Sequence, residues 1–320
     1  MIVTYSRNVF IPLTDFCRNN CYYCGFKKNR SILSQKEVEN LLLKAWNATE
    51  ALFTFGEKAD IFDVVKKWLK ERGFKTFLDY VIEMNRLSVR LGLLPHTNAG
   101  VLKKNEIKRL RKWNASLGLM LEQAVELECH RESPGKNPKE RIKTIVNAGK
   151  LRVPFTTGIL IGIGEAKYDR EYSLDVIADI ADNYGHIQEV IVQNFTPKKG
   201  TPMENWKPPD FAEMIESVRY ARKVLPEDVA IQIPPNLVDD VSIFLENGAN
   251  DLGGISEVTP DYINPEHPWP DLKKIESRLN GRYKLKERLP IYPKYVVEGW
   301  YSERIAPLIE AYSDEEGYRC

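Results

Sequence analysis

The sequence predicts an α/β protein, and the architecture it favours is a closed (β/α)8 barrel of the TIM type. Short apolar runs alternate eight times with longer amphipathic segments, which is typical of parallel βα units. Helix-start signals fall between the runs: Ser34 and Glu37 form a capping box, and Asn137 precedes a first-turn proline, Pro138. Eight parallel units favour closure into a barrel. An open barrel of six units is the alternative if the last two pairs pack elsewhere.

The predicted elements follow one another without a long structureless insertion. In chain order, the strands are 9–15, 50–56, 94–100, 115–122, 155–164, 188–195, 229–235 and a weaker strand, 251–256. The predicted helices are 38–46, 74–91, 105–113, 138–149, 168–184, 210–225, 237–247 and 271–279. The proline-rich stretch 260–270 is interpreted as a loop between the last strand and the last helix.

Length and composition fit one domain. The chain has 320 residues, of which 43% are hydrophobic and 28% charged, as in ordinary globular proteins. We expect a barrel core over about 5–280 and a C-terminal extension over 281–320. Trp300 and several tyrosines in the extension favour packing against the barrel.

Charge and hydropathy exclude several classes of partner. The net charge of +1 predicts no nucleic-acid or membrane partner. The chain contains no run of eighteen apolar residues, so no membrane-spanning helix is predicted. The N-terminal residues lack the basic-then-apolar order of a signal peptide. Five cysteines are too few and too clustered for a disulfide framework, so we expect a cytoplasmic protein.

Three of the cysteines, Cys17, Cys21 and Cys24, lie at spacings of four and three directly after the first strand. Active sites of such barrels lie at the carboxyl ends of the strands, where this loop falls. Thiolates are ligands of iron–sulfur clusters and of zinc. A cluster of four irons usually takes four cysteines, so three leave one iron open to a ligand that is not protein. A structural zinc site is the alternative, but its fourth ligand would have to come from Cys129 or His130, far along the chain.

The Cys-x3-Cys-x2-Cys motif, with an aromatic residue before its last cysteine, resembles the radical S-adenosylmethionine (SAM) superfamily. The resemblance implies a [4Fe–4S] cluster on the three thiolates and SAM bound to the fourth iron through its amino and carboxylate groups. It also implies that the reduced cluster cleaves SAM to a 5′-deoxyadenosyl radical, and that Tyr23 lies near the adenine.

Other predicted strand ends are compatible with a SAM site. Gly56 and Glu57 follow strand two and resemble the Gly-Gly-Glu motif of the superfamily, although Phe55 replaces the first glycine; an ordinary βα turn is the alternative. Glu122 ends strand four and is predicted either to bind SAM or to pair with Arg131 or Arg141. Arg141 could bind the SAM carboxylate or be a solvated helix residue.

Strand five contains glycines within a strand, which often mark the close approach of a ligand. Its residues Gly158, Ile159 and Gly162 resemble the superfamily segment that lies against adenine. The remaining polar residues at strand ends are candidates for substrate binding, with a satisfied core histidine as the alternative for His96. They are His96, Asn98, Gln193, Asn194, Gln232, Asn236, Asp251 and Ser256. So many amides favour a neutral substrate rich in hydrogen-bonding groups.

The resemblance extends to one family within the superfamily, the FO synthases, which form 7,8-didemethyl-8-hydroxy-5-deazariboflavin (FO). The matching segments are 3–14, 92–98, 154–158, 189–195, 253–256 and 259–262. Within this family the chain resembles the CofG subunit, since it is too short for the fused two-domain form, which carries a second cysteine triad.

That resemblance implies the reaction and its partners. A separate enzyme, CofH, would supply an adduct of a 4-hydroxybenzyl group and a ribitylamino-uracil. The adenosyl radical would abstract hydrogen from this adduct, and cyclisation with loss of ammonia would give FO, the chromophore of coenzyme F-420. An external electron donor would reduce the cluster. A related radical enzyme of the menaquinone futalosine pathway and a non-catalytic electron-transfer protein are the alternatives.

Overall fold

The structure of the protein, a computed structural model, describes residues 1–279 and 281–320. Eight parallel strands close into a barrel, because β8 pairs with β1 and β1 pairs with β2. The strands are β1 Ile2–Ile11, β2 Glu50–Thr54, β3 Leu94–Asn98, β4 Ser116–Gly118, β5 Phe155–Ile161, β6 Ile187–Asn194, β7 Ala230–Gln232 and β8 Asp251–Ile255. The predicted (β/α)8 fold is confirmed, and the open six-unit alternative is wrong.

Helices surround the barrel and follow the strands in the predicted alternation. They are α1 Gln35–Lys44, α2 Asp63–Glu71, α3 Phe77–Arg90, α4 Lys104–Leu110, α5 Pro138–Lys150, α6 Lys167–Tyr184, α7 Phe211–Val224, α8 Val241–Glu246 and α9 Leu272–Leu279. Ser34 and Glu37 form the expected reciprocal cap of α1, and the Asn137 side chain accepts from the first turn of α5. The sequence prediction missed α2, which buries Val65 and Leu69 against the core.

The first strand is longer than predicted, and three strands pair with it. It begins at Ile2, whereas the apolar run that predicts it begins at Val9. Residues 4–7 pair with β8 and residues 8–11 with β2. Residues 2–5 pair with a further parallel strand in the C-terminal extension, β9 Lys284–Glu287. Strands β8 and β9 both pair with Thr4, so they lie on opposite edges of β1. Strand β9 therefore lies on the same edge of β1 as β2.

The rest of the C-terminal extension covers the N-terminal end of the barrel. It contains two short helices, α10 Pro293–Val297 and α11 Ala306–Tyr312. Its apolar side chains form one buried cluster with the first residues of neighbouring strands, including Leu94 and Ala230. Tyr295 anchors this cover by donating to Gly185 O and Ile187 O, each at 3.0 Å. The carboxyl ends of the strands therefore form the mouth of the barrel.

Across residues 1–279 and 281–320, no helix has both the length and the apolar character that crossing a membrane requires.

Candidate active site

A cavity of about 400 Å³ runs from the mouth into the barrel interior. Cys17, Cys21 and Cys24 line it at the mouth, together with Tyr23 and Glu57. The cysteine loop leaves the barrel after β1 and extends over this opening. The sequence therefore placed the cysteine triad correctly, at the carboxyl ends of the strands.

The cysteine loop packs against the end of β2 through Gly56. This glycine donates its N–H to Thr14 O at 2.9 Å. A Cβ at position 56 would lie 2.1 Å from Phe16 O and 2.9 Å from Cys17 Cβ, so only glycine permits the approach. Gly56 thus positions the loop that carries the thiols.

The chemistry of the three thiols fits an iron–sulfur cluster. All three are free, and two accept hydrogen bonds: Glu57 N–H donates to Cys17 Sγ at 3.3 Å, and Ser133 Oγ donates to Cys21 Sγ at 3.4 Å. Burial raises the pKa of Cys17 and Cys21, so a bound metal would have to hold these thiols ionised. Among the residues that the structure describes, no three His, Cys, Asp or Glu side chains converge closely enough to chelate a metal ion. The assignment of ligands therefore rests on the donor type and on the shared cavity.

Glu57 lies next to the cysteine loop and is almost fully buried. Its carboxylate accepts from Arg18 Nε at 2.7 Å and from Asn19 Nδ2 at 3.3 Å. A Cβ at Gly100 or Gly135 would lie within 2.5 Å of this carboxylate, so both glycines leave room for it. Arg18 and Asn19 were not predicted as site residues, because nothing in their spacing distinguishes them from loop residues.

A second buried carboxylate, Glu122, lies beside Tyr23 of the cysteine loop. Burial alone would raise its pKa, but Lys136, His130 and Arg141 lower the pKa of Glu122 well below its usual range. His130 Nε2 lies 3.2 Å from the carboxylate, Arg141 lies 3.6 Å from it, and Lys136 pairs with it directly. Its backbone φ of +66° is in the left-handed region, which is strained for a residue other than glycine.

Tyr23 joins this carboxylate to the cysteine motif. Its hydroxyl donates to Glu122 and lies 2.9 Å from His130 Nε2. Burial and the neighbouring carboxylate raise the pKa of Tyr23 well above its usual value, so it stays a neutral donor. The sequence assigned no role to His130 and did not select Lys136, although both belong to this network.

Arg141 is buried, so the solvated alternative is wrong. Its guanidinium donates to Met120 O at 2.7 Å and to Gly135 O at 2.8 Å. These bonds bring the loop after β4 and the start of α5 together beside Glu122. Arg131, the other suggested partner of Glu122, pairs instead with Glu128 at 2.9 Å.

Cys129 is buried in a small apolar cluster with Leu160, Phe195 and Met203. Burial raises its pKa to about 12, so the thiol stays protonated and packs as an apolar group. Cys129 O accepts from Tyr22 N–H at 3.1 Å, which ties the cysteine loop to the β4 side of the mouth.

The glycine-rich strand five does not present its glycines to the cavity. A Cβ at Gly158 would lie 2.2 Å from Ile191 O, so this glycine allows close approach of β6. Ile159 is fully buried, and Gly162 has a φ of +92° and donates its N–H to Glu165 Oε1 at 2.8 Å. Their expected contact with adenine stays a prediction.

Most of the polar side chains suggested for substrate binding lie together inside the barrel. His96, Asn98, Gln193, Gln232 and Asn236 line the cavity. His96 Nδ1 lies 2.6 Å from Ser116 Oγ, and Nε2 lies 3.2 Å from Asn98 Oδ1. Burial lowers the pKa of His96 to about 4, so this imidazole is neutral. It is a satisfied interior histidine that also faces the cavity.

Three of the suggested substrate residues do not line the cavity. Asn194 donates to Leu237 O at 3.1 Å, and Ser256 lies 2.9 Å from Thr259 in a turn. Asp251 is fully buried at the start of β8, where it accepts from Arg288 Nε at 2.7 Å. A strand's first residue cannot reach the mouth, so the carboxylate of Asp251 belongs to the closed end of the barrel.

The chain is similar to a known family model and to named proteins over most of its length. The family model described as the radical SAM superfamily matches residues 11–177. A protein of Archaeoglobus fulgidus called 7,8-didemethyl-8-hydroxy-5-deazariboflavin synthase is 62% identical over 319 residues, which cover 99% of this chain and 98% of the relative. A protein of the same name from Methanosarcina barkeri is 49% identical over 324 residues, covering 99% of each chain.

Solved structures with low sequence identity share the fold. Methylornithine synthase (PylB) superposes with a TM-score of 0.66 at 20% identity, covering 89% of this chain and 83% of that one. The FeFe-hydrogenase maturase HydG from Carboxydothermus hydrogenoformans gives a TM-score of 0.66 at 17% identity, covering 97% and 78%. With a cysteine triad at the mouth of such a barrel and relatives that match it from end to end, the chain belongs to the radical SAM superfamily and, within it, to the 7,8-didemethyl-8-hydroxy-5-deazariboflavin synthase family.

Proposed function

We propose that this protein is an FO-forming radical SAM enzyme. Its substrate is 5-amino-5-(4-hydroxybenzyl)-6-(D-ribitylimino)-5,6-dihydrouracil, which CofH supplies. SAM bound beside the cysteines would supply a 5′-deoxyadenosyl radical that takes a hydrogen atom from this adduct. Cyclisation, loss of one further electron and proton, and release of ammonia would then give FO for coenzyme F-420. The observation that carries the proposal is the continuous cavity that joins the cysteine triad at the mouth to amide side chains inside the barrel.

Cys17, Cys21 and Cys24 are the residues that would hold a [4Fe–4S] cluster. When bound and reduced, such a cluster supplies the electron that cleaves SAM. The hydrogen bonds to Cys17 Sγ and Cys21 Sγ orient two of the ligands. Gly56 keeps the loop against β2, where the three cysteines line the cavity.

The two carboxylates next to the cysteine loop, Glu57 and Glu122, are suited to orienting SAM. Glu57 is ionisable and buried, and it can accept from an ammonium group. Tyr23 and Glu122 form a wall of the cavity near the cysteines, with Arg141 behind them. These residues hold a polar ligand in place while the barrel wall excludes water.

The interior is suited to a neutral substrate. The side chains of Asn98, Gln193 and Asn236 offer amide donors and acceptors without net charge. His96 is neutral and adds none. An external reductant and CofH complete the proposed reaction, which takes place in the cytoplasm, where a labile cluster is protected from oxidation.

The proposal is tested by anaerobic reconstitution of the protein with iron and sulfide, followed by addition of SAM, dithionite and the adduct. We expect 5′-deoxyadenosine and the absorbance of a deazaflavin. Intact cluster without 5′-deoxyadenosine would favour an electron-transfer protein, and SAM cleavage without a deazaflavin would contradict the substrate.

The Cys21→Ala variant should lose the cluster and both products while keeping its circular dichroism spectrum. Cys320→Ser is the matched control, because Cys320 is exposed at the C-terminus. A folded Cys21→Ala protein with full activity would overturn the assignment of the ligands.

A further inference from the structure

The cavity ends on a polar floor near the closed end of the barrel. The interior of a TIM barrel is normally filled by layers of bulky branched side chains. Here the lining residues near the closed end are mostly polar, and we call six of them the floor: Ser6, Asn8, Glu50, Glu189, Gln232 and Arg288. Polar groups buried at this depth need hydrogen-bond partners.

Asn8 is the clearest sign that the floor binds a ligand. Its side chain is 1% exposed, faces the cavity, and has no hydrogen-bond partner for either amide atom among the described residues. A Cβ at Gly254 would lie 2.2 Å from Asn8 Nδ2, so the neighbouring strand β8 leaves space for the amide. The partners of Asn8 must therefore come from the contents of the cavity: water in the free protein and substrate in the complex.

The charges of the floor exclude an anionic ligand. Arg288 is its single cation among the described residues, and Asp251 and Glu189 already surround it, with N···O distances of 2.7 Å and 3.3 Å. Glu50 adds another carboxylate, which accepts from Ser6 Oγ at 2.5 Å. The guanidinium is therefore already paired, and among the described residues the floor offers no further cation to hold a phosphate or carboxylate group.

The polar side chains of the floor are suited to binding the hydroxyl groups of a ligand. A hydroxyl both donates and accepts, so it can donate to Glu50 or Glu189 and accept from the Asn8 amide. A chain of neighbouring hydroxyls would use several floor residues at once. An ammonium group fits less well, because Arg288 places a fixed positive charge beside the carboxylates.

The floor and the cysteines lie at opposite ends of one cavity. Asn8 precedes the end of β1, Ile11, by three residues, which is roughly 10 Å along the strand. The cysteine loop lies beyond that end. A ligand that reaches both places must be elongated, with its reacting part at the mouth and a hydroxyl-rich part on the floor.

We propose that the floor binds the ribityl chain of the substrate and thereby presents the hydroxybenzyl and pyrimidine rings to SAM. This inference rests on the proposed function, in which the ribityl chain is the part of the adduct whose bonds do not change. Asn8 is then a specificity-determining residue that recognises the polyhydroxyl chain.

The test compares two ligands on two proteins. One ligand is the natural adduct, and the other carries a methyl group in place of the ribityl chain. Asn8→Leu keeps the side-chain size and removes no hydrogen bond within the protein. We expect Asn8→Leu to lower kcat/KM for the natural adduct by about 10- to 100-fold and to change kcat/KM for the methyl adduct by less than about 2-fold.

A binding measurement separates this inference from the proposed function. Calorimetry with 5-amino-6-ribitylamino-uracil and its methylamino analogue needs neither cluster nor turnover. We expect Asn8→Leu to weaken binding of the ribityl compound by about 10-fold and to leave the affinity for the methyl compound unchanged. Asn183→Ala, on the exposed face of α6, is the control and should alter neither affinity.

The outcomes are distinct. Equal losses on both ligands would overturn the floor assignment, because Asn8 would then act on the ring or on the fold. Unaltered binding of the ribityl compound would overturn it too. If the wild-type protein cleaves SAM but converts no adduct, while the ribityl-dependent difference in binding remains, the proposed function fails and the floor assignment stands.

Discussion

At the scale of single residues, Glu57 shows how a reactive site is prepared by groups that sequence spacing does not reveal. Its carboxylate is buried between Arg18 and Asn19, and Gly100 and Gly135 provide the space. The sequence identified Glu57 because it follows a strand and a glycine. It could not identify Gly135, which is distant in the chain and reaches the site only through the fold.

Replacing this carboxylate with an amide tests its role toward SAM. Glu57→Gln removes the charge but keeps the shape, so we expect the SAM concentration at half-maximal rate to rise by about 10- to 100-fold. The measurement is the rate of 5′-deoxyadenosine formation at varied SAM. Glu106→Gln is the control, since Glu106 pairs with Lys58 at a more exposed position, 3.1 Å away. Unchanged SAM dependence in Glu57→Gln would contradict the role.

A second residue-scale prediction concerns pH. Burial raises the pKa of Glu189 from 4.5 to about 7. The positive charge of Arg288 lowers this pKa and the negative charge of Asp251 raises it, but burial has the largest effect. Between these values the folded protein holds a proton that the unfolded chain releases, so the stability from this group is lost as pH rises through the window.

Glu189→Gln should flatten that dependence. We expect the wild-type free energy of unfolding to fall, relative to that of the variant, by on the order of 1–3 kcal/mol between pH 4.5 and pH 7. Urea unfolding at several pH values measures it. In the control variant, Glu216→Gln at an exposed position, the free energy of unfolding should change with pH as it does in the wild type. Parallel pH curves for Glu189→Gln and wild type would show that Glu189 titrates normally.

At the scale of elements, the sequence predicted what local signals encode and missed what tertiary contacts decide. Apolar runs mark part of most of the eight strands, and α1 begins at a capping box; both signals are local. Helix α2 has no such signal, because its N-cap, Phe62, makes no side-chain cap. Strand β9 reads Lys-Leu-Lys-Glu, and only pairing with β1 makes it a strand.

The candidate active site likewise contains residues that the sequence could predict and residues that it could not. The cysteine triad and Glu57 follow strand ends, so their position was predictable. His130 and Lys136 lie in the long segment between β4 and α5, and they meet Glu122 where Arg141 ties that segment together through Met120 O and Gly135 O. No periodicity or spacing in that segment marks such a contact.

At the scale of the whole molecule, the C-terminal extension closes one end of the barrel and leaves the other open. Ile291 is fully buried in the cluster that covers the strand starts. The floor depends on this cover as well, because Arg288 belongs to the same segment. The extension therefore contributes both to stability and to the shape of the cavity.

Ile291→Ala tests the cover. We expect it to destabilise the protein by about 2–5 kcal/mol, since it removes a buried aliphatic side chain and leaves a cavity. Chemical denaturation measures the change. Val297→Ala is the control; Val297 is 65% exposed, so its loss should stay within about 0.5 kcal/mol. Equal, small effects of both variants would show that the extension is not part of the cooperative core.

The most direct test of the central claim is a single-turnover reaction of the reconstituted enzyme with reductant, SAM and the adduct, in which FO and 5′-deoxyadenosine are both quantified. In the proposed reaction, forming FO removes two electrons and ammonia from the adduct, and SAM, cleaved to methionine and 5′-deoxyadenosine, is the oxidant. The account predicts one FO for each 5′-deoxyadenosine, and none without SAM. Stoichiometric cleavage of SAM with the adduct recovered unchanged would contradict it.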